Sequence, residues 1–334
     1  MNETVCGRFA PTPSGRMHLG NVLCALLAWL SARAQGGRFV LRIEDLDAMR
    51  CPRSYAKLLE DDLLWLGIDW DEGGSKGGPH GPYYQSECAP LYEKALQKLK
   101  QQGLLYPCFC SRAQLHAASA PHLSDGQVIY SGRCRSLSAE DVKRLSKKRS
   151  PAVRLRVPDE TVSFTDGRLG LHRENLAREC GDFLVRRSDG VFAYQLAVVV
   201  DDSRMGVTEV VRGQDLLSST ARQLYLYWLL NDPAPLYRHI PMLLAPDGRR
   251  LSKRDHDLSL QSLRQDLPDA RPLVGLLAYL CGQLPAPRPL TPRELLPLFS
   301  WDKVPKEDIR VPKAWYEAPL QQWDSTLPRQ ASRR

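Results

Sequence analysis

The feature that leaves the fewest folds open is the alternation of strand-like and helix-like runs up to Leu105. Cys6–Phe9 (CGRF) reads as a short strand, and Leu19–Leu30 (LGNVLCALLAWL) is almost wholly apolar, as suits a buried helix. Arg38–Asp45 (RFVLRIED) is a second strand with an acidic end. Ser54–Gly67 sets apolar residues at helical spacing before a glycine stop, and Pro90–Gly103 has proline in its first turn and glycine at its end. Strands separated by helices pair in parallel, with helices packed on the faces of the sheet. Ligands of such sheets lie beyond the carboxyl ends of the strands, where strand order reverses. That rule places Phe9–Asn21 (FAPTPSGRMHLGN) and Ile43–Asp45 at one site.

The seam between the first strand and helix has its own chemistry. Pro11 and Pro13 stiffen the chain, and Gly15 permits a turn that other residues resist. A strand–turn–helix of this kind aims backbone N–H groups and a positive helix end at an anion. Arg8, Arg16 and His18 are expected around the same point.

From residue 106 to residue 200 the texture changes. CFC is followed by a polar, glycine-bearing segment, by YSGRC, and then by AVRLRV and VSFTDG, which alternate as antiparallel strands do. This reads as an inserted module. Alternation then resumes with a strand at Gly206–Gly213 and a helix at Ser219–Leu230, capped by serine or threonine. IPMLLAPDGRRLSKRD follows as a strand, a Pro-Asp-Gly turn and a basic loop. The expected division is residues 1–105 and 201–262 for the two halves of the catalytic domain, 106–200 for the insert, and 263–334 for a short helical region. The about 80 residues after Arg254 hold many prolines and two helical candidates, with no evident chemistry.

Composition excludes some classes. Net charge is +8 with a pI near 9.0, which suits a polyanionic partner. No run reaches the roughly 18 apolar residues that cross a membrane, and the N-terminus has no secretory pattern. The nine cysteines follow no disulfide framework, so they are expected as reduced thiols in a cytoplasmic chain. Cys108, Cys110 and Cys134 in the insert suggest zinc, which is four-coordinate and favours sulfur. By chemistry alone His116 or His122 would be preferred as the fourth ligand.

HLGN (His18–Asn21) at the head of the first helix and RLSKR (Arg250–Arg254) in a late loop resemble the two signatures of the class I aminoacyl-tRNA synthetases, HIGH and KMSKS. GRFAPTPSGRMHLGN, RIEDLD, AYQLAVVVDD and GVTEVVRGQDLL resemble the glutamyl branch of that class, over roughly residues 5 to 260. Full-length members continue into a large anticodon-reading region, which the remaining residues would not build. That difference, with the CFC…YSGRC insert, resembles the glutamyl-queuosine tRNA(Asp) synthetases, which attach glutamate to queuosine in the anticodon of the aspartate tRNA. The competing readings are a short glutamyl-tRNA synthetase acting at a tRNA 3′ end, and a tRNA-binding paralogue without catalysis. Intact HLGN, IED and LSKR speak against the last.

The resemblance implies a Rossmann-like α/β fold with an inserted zinc-bearing α+β module and a short helical C-terminal subdomain. It implies ATP as substrate, with Mg2+, L-glutamate and a tRNA(Asp) bearing queuosine as partners, no membrane, and a monomer. His18 would donate to the phosphates, and Lys253 would hold the β and γ groups. Gly20, Asn21 and Ser252 would complete the ATP site, with Asn21 in place of the usual second histidine. Glutamate would lie against Arg8, Phe9, Ala10, Pro11 and Thr12, with guanidiniums from Arg8 and Arg212, an acid from Glu44 and a donor from Tyr194. Read from the residues alone, Glu44 is equally a salt-bridged strand end and Tyr194 equally a core aromatic. Val198 stands where the full-length enzymes are expected to have asparagine. For zinc, the resemblance implies Tyr130 as the fourth ligand, one structural ion per chain.

Overall fold

The computed structural model describes residues 4–47, 49–111, 114, 129–251 and 260–313. Five parallel strands form the central sheet, in the order Leu236–Ile240, Glu209–Gly213, Cys6–Phe9, Arg38–Leu41 and Glu72–Gly73. From Cys6–Phe9 the chain winds outward in one direction, then returns much later to fill the other side. Strand order therefore reverses between Cys6–Phe9 and Glu209–Gly213, and their carboxyl ends flank a ready-made crevice.

The first crossover is the helix Leu19–Ala34, with eleven of its sixteen residues buried. It is apolar on nearly all sides because it lies between two layers. The sheet covers one flank, and the helices Leu260–Asp266 and Arg271–Leu280 share its apolar core. The final segment, expected to lack chemistry, therefore closes the core around the helix that heads the site. Among the described residues no helix is long and apolar enough to cross a membrane.

The insert is α+β. Leu105–Cys108, Ala152–Leu155 and Phe183–Arg186 form a three-stranded antiparallel sheet, and Thr161–Asp166 pairs with Gly170–Asn175 as a hairpin. The two alternating runs foreseen here are both strands, but they pair with other partners rather than with each other. Tyr92, Leu96 and Leu99 of the Ala89–Gln101 helix join Leu196, Val199 and Leu226 in one core with Leu155 and Val185, so the insert is packed onto the catalytic half. The helix Tyr194–Arg204 spans residue 200, Leu260–Asp266 spans residue 262 and the strand Leu105–Cys108 starts at residue 105, so each of the three expected boundaries falls inside an element.

One local expectation needs correction and another narrowing. Ser219 does not cap the helix Thr220–Leu230, because it already lies in a 3-10 turn, Gln214–Ser219, with helical backbone. Its hydroxyl instead accepts from Gln195 Nε2 (3.0 Å). The strand placed at IPMLLA is present but short, Leu243–Leu244; the longer strand before it, Leu236–Ile240, ends at Pro241, which has no N–H to continue the ladder. Leu243–Leu244 pairs with Ile309–Arg310 instead, so the final segment also braces the entry to the basic loop.

Candidate active site

The crevice at the reversal is a cavity of about 580 Å³, ample for an amino acid beside a nucleotide. Arg8, Phe9, Ala10, Pro11, Thr12, Glu44, Tyr194 and Arg212 all line it, as do His18, Gly20 and Asn21. Ser252 and Lys253 lie outside the described residues. Ile240, Pro241, Met242, Leu243 and Leu251 form an apolar wall. Val198 is buried in the Tyr194–Arg204 helix and is not part of the lining.

His18 is the N-cap of the buried helix: its Nδ1 accepts from the Gly20 and Asn21 amides, at 3.1 and 3.4 Å. Those two N–H groups, expected to face an anion, are thus satisfied by the ring itself. With Nδ1 accepting, the proton of the neutral imidazole sits on Nε2, which is a donor. Gly20 leaves room for the capping ring: a Cβ there would come 3.0 Å from His18 Cε1, so the imidazole would have to shift. Gly15, at φ +118°, makes the turn that brings the chain into the helix. Arg16 does not join the cleft: it is paired with Asp61 (3.1 Å) and Asp62, tying this turn to the helix Arg53–Trp65.

The glutamate-type residues are organised by a carboxylate the sequence reading passed over. Asp202 is completely buried, bonds to Arg42 Nη1, and lies 3.4 Å from Arg8 Nε. Burial alone would raise the Asp202 carboxyl; Arg42 and Arg8 outweigh it and hold it below the ordinary range. Arg42 also donates to Glu44 Oε1 at 3.0 Å. Burial pushes Glu44 above its usual value against the pull of Arg42. The run from Phe9 to Pro11 is pinned alongside by the bonds Arg42 N to Phe9 O and Glu44 N to Pro11 O, both 3.0 Å. Glu44 is therefore both a salt-bridged strand end and a lining acid, and Tyr194 lines the cleft with no hydrogen bond to its hydroxyl among the described residues.

Arg212 is held by a second chain. Its Nε donates to His239 Nε2 (3.0 Å), Nη1 to Gln223 (2.7 Å), and Nη2 to Leu216 O and Thr220 Oγ1 (3.2 and 2.9 Å). His239 Nδ1 in turn donates to Asp166 Oδ2 at 2.7 Å. Burial takes His239 down to about 4, so near neutrality it is uncharged and free to accept from the guanidinium. Arg42, Asp202, His239 and Asp166 were missed by sequence reasoning. The one available signal was the pair Asp201-Asp202 closing an otherwise apolar helix.

In the insert, Cys108, Cys110 and Cys134 bring their sulfurs within 4.8 Å of one another. Cys110 and Cys134 are 3.6 Å apart. A tetrahedral ion with roughly 2.3 Å bonds needs sulfurs about 3.8 Å apart, so the donor set can hold such a metal. Tyr130 Oη lies 3.6 Å from Cys108 Sγ and 3.7 Å from Cys110 Sγ. Arg154 Nε reaches Cys108 Sγ at 3.3 Å. Burial would raise the Cys108 thiol, but the Cys110 amide and Arg154 bring it down, while burial pushes Cys110 up to about 11. His116 and His122 lie outside the described residues.

Residues 4–281 match the model of the tRNA synthetases class I (E and Q), catalytic domain, and the chain belongs to that family. The chain is 52% identical to the Glutamyl-Q tRNA(Asp) synthetase of Symbiobacterium thermophilum, over 92% of this chain and 96% of that protein. It is 47% identical to the protein of the same name from Nitratidesulfovibrio vulgaris, over 92% and 95%. Among solved structures, a glutamate tRNA ligase from Elizabethkingia meningosepticum, in complex with its amino acid, superposes with a TM-score of 0.79 at 30% identity, over 92% of this chain and 67% of that one.

His18 both caps the helix and lines the cleft, which gives a separable test of a catalytic role. Asparagine is as good an N-cap but has no Nε2–H, so His18→Asn should leave thermal stability nearly unchanged, since cap loss is worth about 1 kcal/mol. Glutamate-dependent ATP–pyrophosphate exchange should fall by about 10² or more. Loss of stability with little loss of exchange would make His18 a cap and nothing else.

Proposed function

We propose that the chain activates L-glutamate with ATP as glutamyl-adenylate and transfers the glutamyl group to the queuosine base in the anticodon of tRNA(Asp), leaving the 3′ end uncharged. The observation that carries this reading is a glutamate-type pocket opening onto the His18 cleft, in a chain similar to Glutamyl-Q tRNA(Asp) synthetases over nearly their whole length. We place the reaction in the cytoplasm, with the chain acting as a monomer.

The α-carboxylate of glutamate is ionised at neutral pH, so its attack on the α-phosphorus needs no general base. What remains is positioning and the stabilisation of charge moving onto pyrophosphate. His18 Nε2–H donates to phosphate oxygen, Lys253 holds the β and γ groups, and Ser252, Gly20 and Asn21 complete the nucleotide site; Mg2+, when bound with ATP, would supply further neutralisation of the phosphate charge. Glu44 takes the α-ammonium with the oxygen that Arg42 does not use. Arg8, Tyr194 and Arg212 face the substrate carboxylates, and the backbone from Phe9 to Thr12 shapes the floor. The apolar wall from Ile240 to Leu243 suits the adenine ring.

Cys108, Cys110, Cys134 and Tyr130 would hold one zinc ion, which would tie the CFC strand end to the YSGRC turn. Its role is structural, because the cluster lies in the insert and none of its residues lines the cleft. Cys134→Ser should lower zinc below one per chain by elemental analysis and lower the melting temperature, and Tyr130→Phe should do so more weakly. A zinc-free preparation with unchanged melting would remove the site.

The acceptor is tested by charging queuosine-bearing tRNA(Asp) with radiolabelled glutamate and cutting it with a nuclease. Label should appear on the anticodon fragment and vanish when the tRNA lacks queuosine. Label on the 3′-terminal adenosine would make the short glutamyl-tRNA synthetase the better answer.

A further inference from the structure

A second cavity, of about 450 Å³, adjoins the cleft and shares Asp215, Met242 and Arg250 with it. Its outer wall is the hairpin of the insert. Phe164 and His172 face each other across the two strands as a stacked pair, centroids 5.5 Å apart and planes at 24°. His172 Nε2 is buried with no hydrogen-bond partner among the described residues. The chain as a whole is basic, yet the charged lining here is Glu174, Glu179, Asp215 and Asp308 against only Arg173 and Arg250. Asp215, at the junction of the two cavities, has no hydrogen bond among the described residues, only a loose ion pair with Arg250 at 3.7 Å.

Neither glutamate nor ATP calls for such a place. Both bring carboxylate or phosphate, which Glu174, Glu179 and Asp308, the carboxylates that line this cavity and not the cleft, would repel. The volume exceeds what an ion needs and suits a nucleobase with a substituent. An aromatic platform holds a base by stacking, worth roughly 1–3 kcal/mol per base. A carboxylate beside it selects a cation or a hydroxyl. Queuosine carries both, a secondary amine that is protonated near neutrality and a cyclopentene diol, whereas a 3′-terminal adenosine carries no amine cation.

We propose that this second cavity is the acceptor subsite, in which the modified base stacks on the Phe164–His172 pair and its ammonium and diol are held by Asp215. The inference rests on the acceptor named under the proposed function and adds where it binds. Seated there, the base lies in one cavity, its diol at the junction, and the adenylate in the other. One diol oxygen attacks the carbonyl carbon of glutamyl-adenylate and a C–O ester bond forms. The bond from that carbon to the phosphate oxygen breaks, AMP leaves with the electron pair, and the hydroxyl proton passes to the departing phosphate. Asp215 is here a positioning residue.

The test measures ATP–pyrophosphate exchange and transfer to queuosine-bearing tRNA(Asp) side by side for the wild type, Phe164→Ala, Phe164→Tyr and Asp215→Asn. Transfer should fall at least about tenfold further than exchange in Phe164→Ala and Asp215→Asn, and Phe164→Tyr should recover most of it because the ring is kept. Equal losses in the two assays, or no loss of transfer, would overturn the subsite. Failure of the wild type to label the anticodon would instead overturn the acceptor itself, so the two failures are distinct. Should the variants not fold, wild-type crystals soaked with queuosine nucleoside decide: the base against Phe164 and His172 supports the subsite, and the base elsewhere removes it.

Discussion

Asp202, buried between Arg42 and Arg8, is the contact on which the rest of the site depends. It sits on the helix that begins with Tyr194, while its partners come from the ends of two neighbouring strands. One carboxylate thereby fixes the floor of the pocket to its wall. An unpaired buried charge costs about 3–5 kcal/mol, so none of the three groups can leave without the others being exposed or lost. Arg42, once fixed, orients Glu44, and the backbone bonds from Arg42 and Glu44 lock the turn that leads to His18. Arg8 and Arg212 against Glu44 then leave the cleft with one positive charge in excess. A zwitterion with a second carboxylate is the complement of that charge.

Arg212 is fixed from the opposite direction. The chain Asp166–His239–Arg212 runs from the hairpin of the insert, through an edge strand of the central sheet, to the substrate wall. It works because His239 stays neutral: an imidazolium would have no lone pair for Arg212 Nε and would face it with like charge. The insert is thus coupled to the pocket by hydrogen bonds as well as by packing, and the same hairpin forms the wall of the neighbouring cavity.

The parallel sheet, the buried first helix and the gathering of Arg8, His18, Glu44, Tyr194 and Arg212 were legible in the sequence. Each stands at a strand end or helix start, and the rule that ligands sit where strand order reverses brings such places together. The partners that hold them were not legible. Asp202 is far from Arg42 in sequence, and nothing local distinguishes it from Asp201 beside it, which bonds to Gln85 and Tyr92 instead. The cap at Ser219 failed because the preceding residues were already helical, and the strand at IPMLLA is only Leu243–Leu244 because Pro241 ends the longer Leu236–Ile240 strand before it. The parallel pairing of Leu243–Leu244 with Ile309–Arg310 is a non-local contact of two short runs with no pattern of their own.

Asp202, His239 and the His18 cap all come from this chain and hold the described residues of the pocket in place, so the proposed activation should need no RNA to assemble them. The decisive measurement is glutamate-dependent ATP–pyrophosphate exchange without tRNA, for the wild type and for Asp202→Asn. The account predicts exchange by the wild type alone, and a glutamate KM raised about tenfold or more in the variant, since a misplaced pocket loses on the order of 1.4 kcal/mol or more of binding. Exchange that appears only when tRNA is added would contradict it.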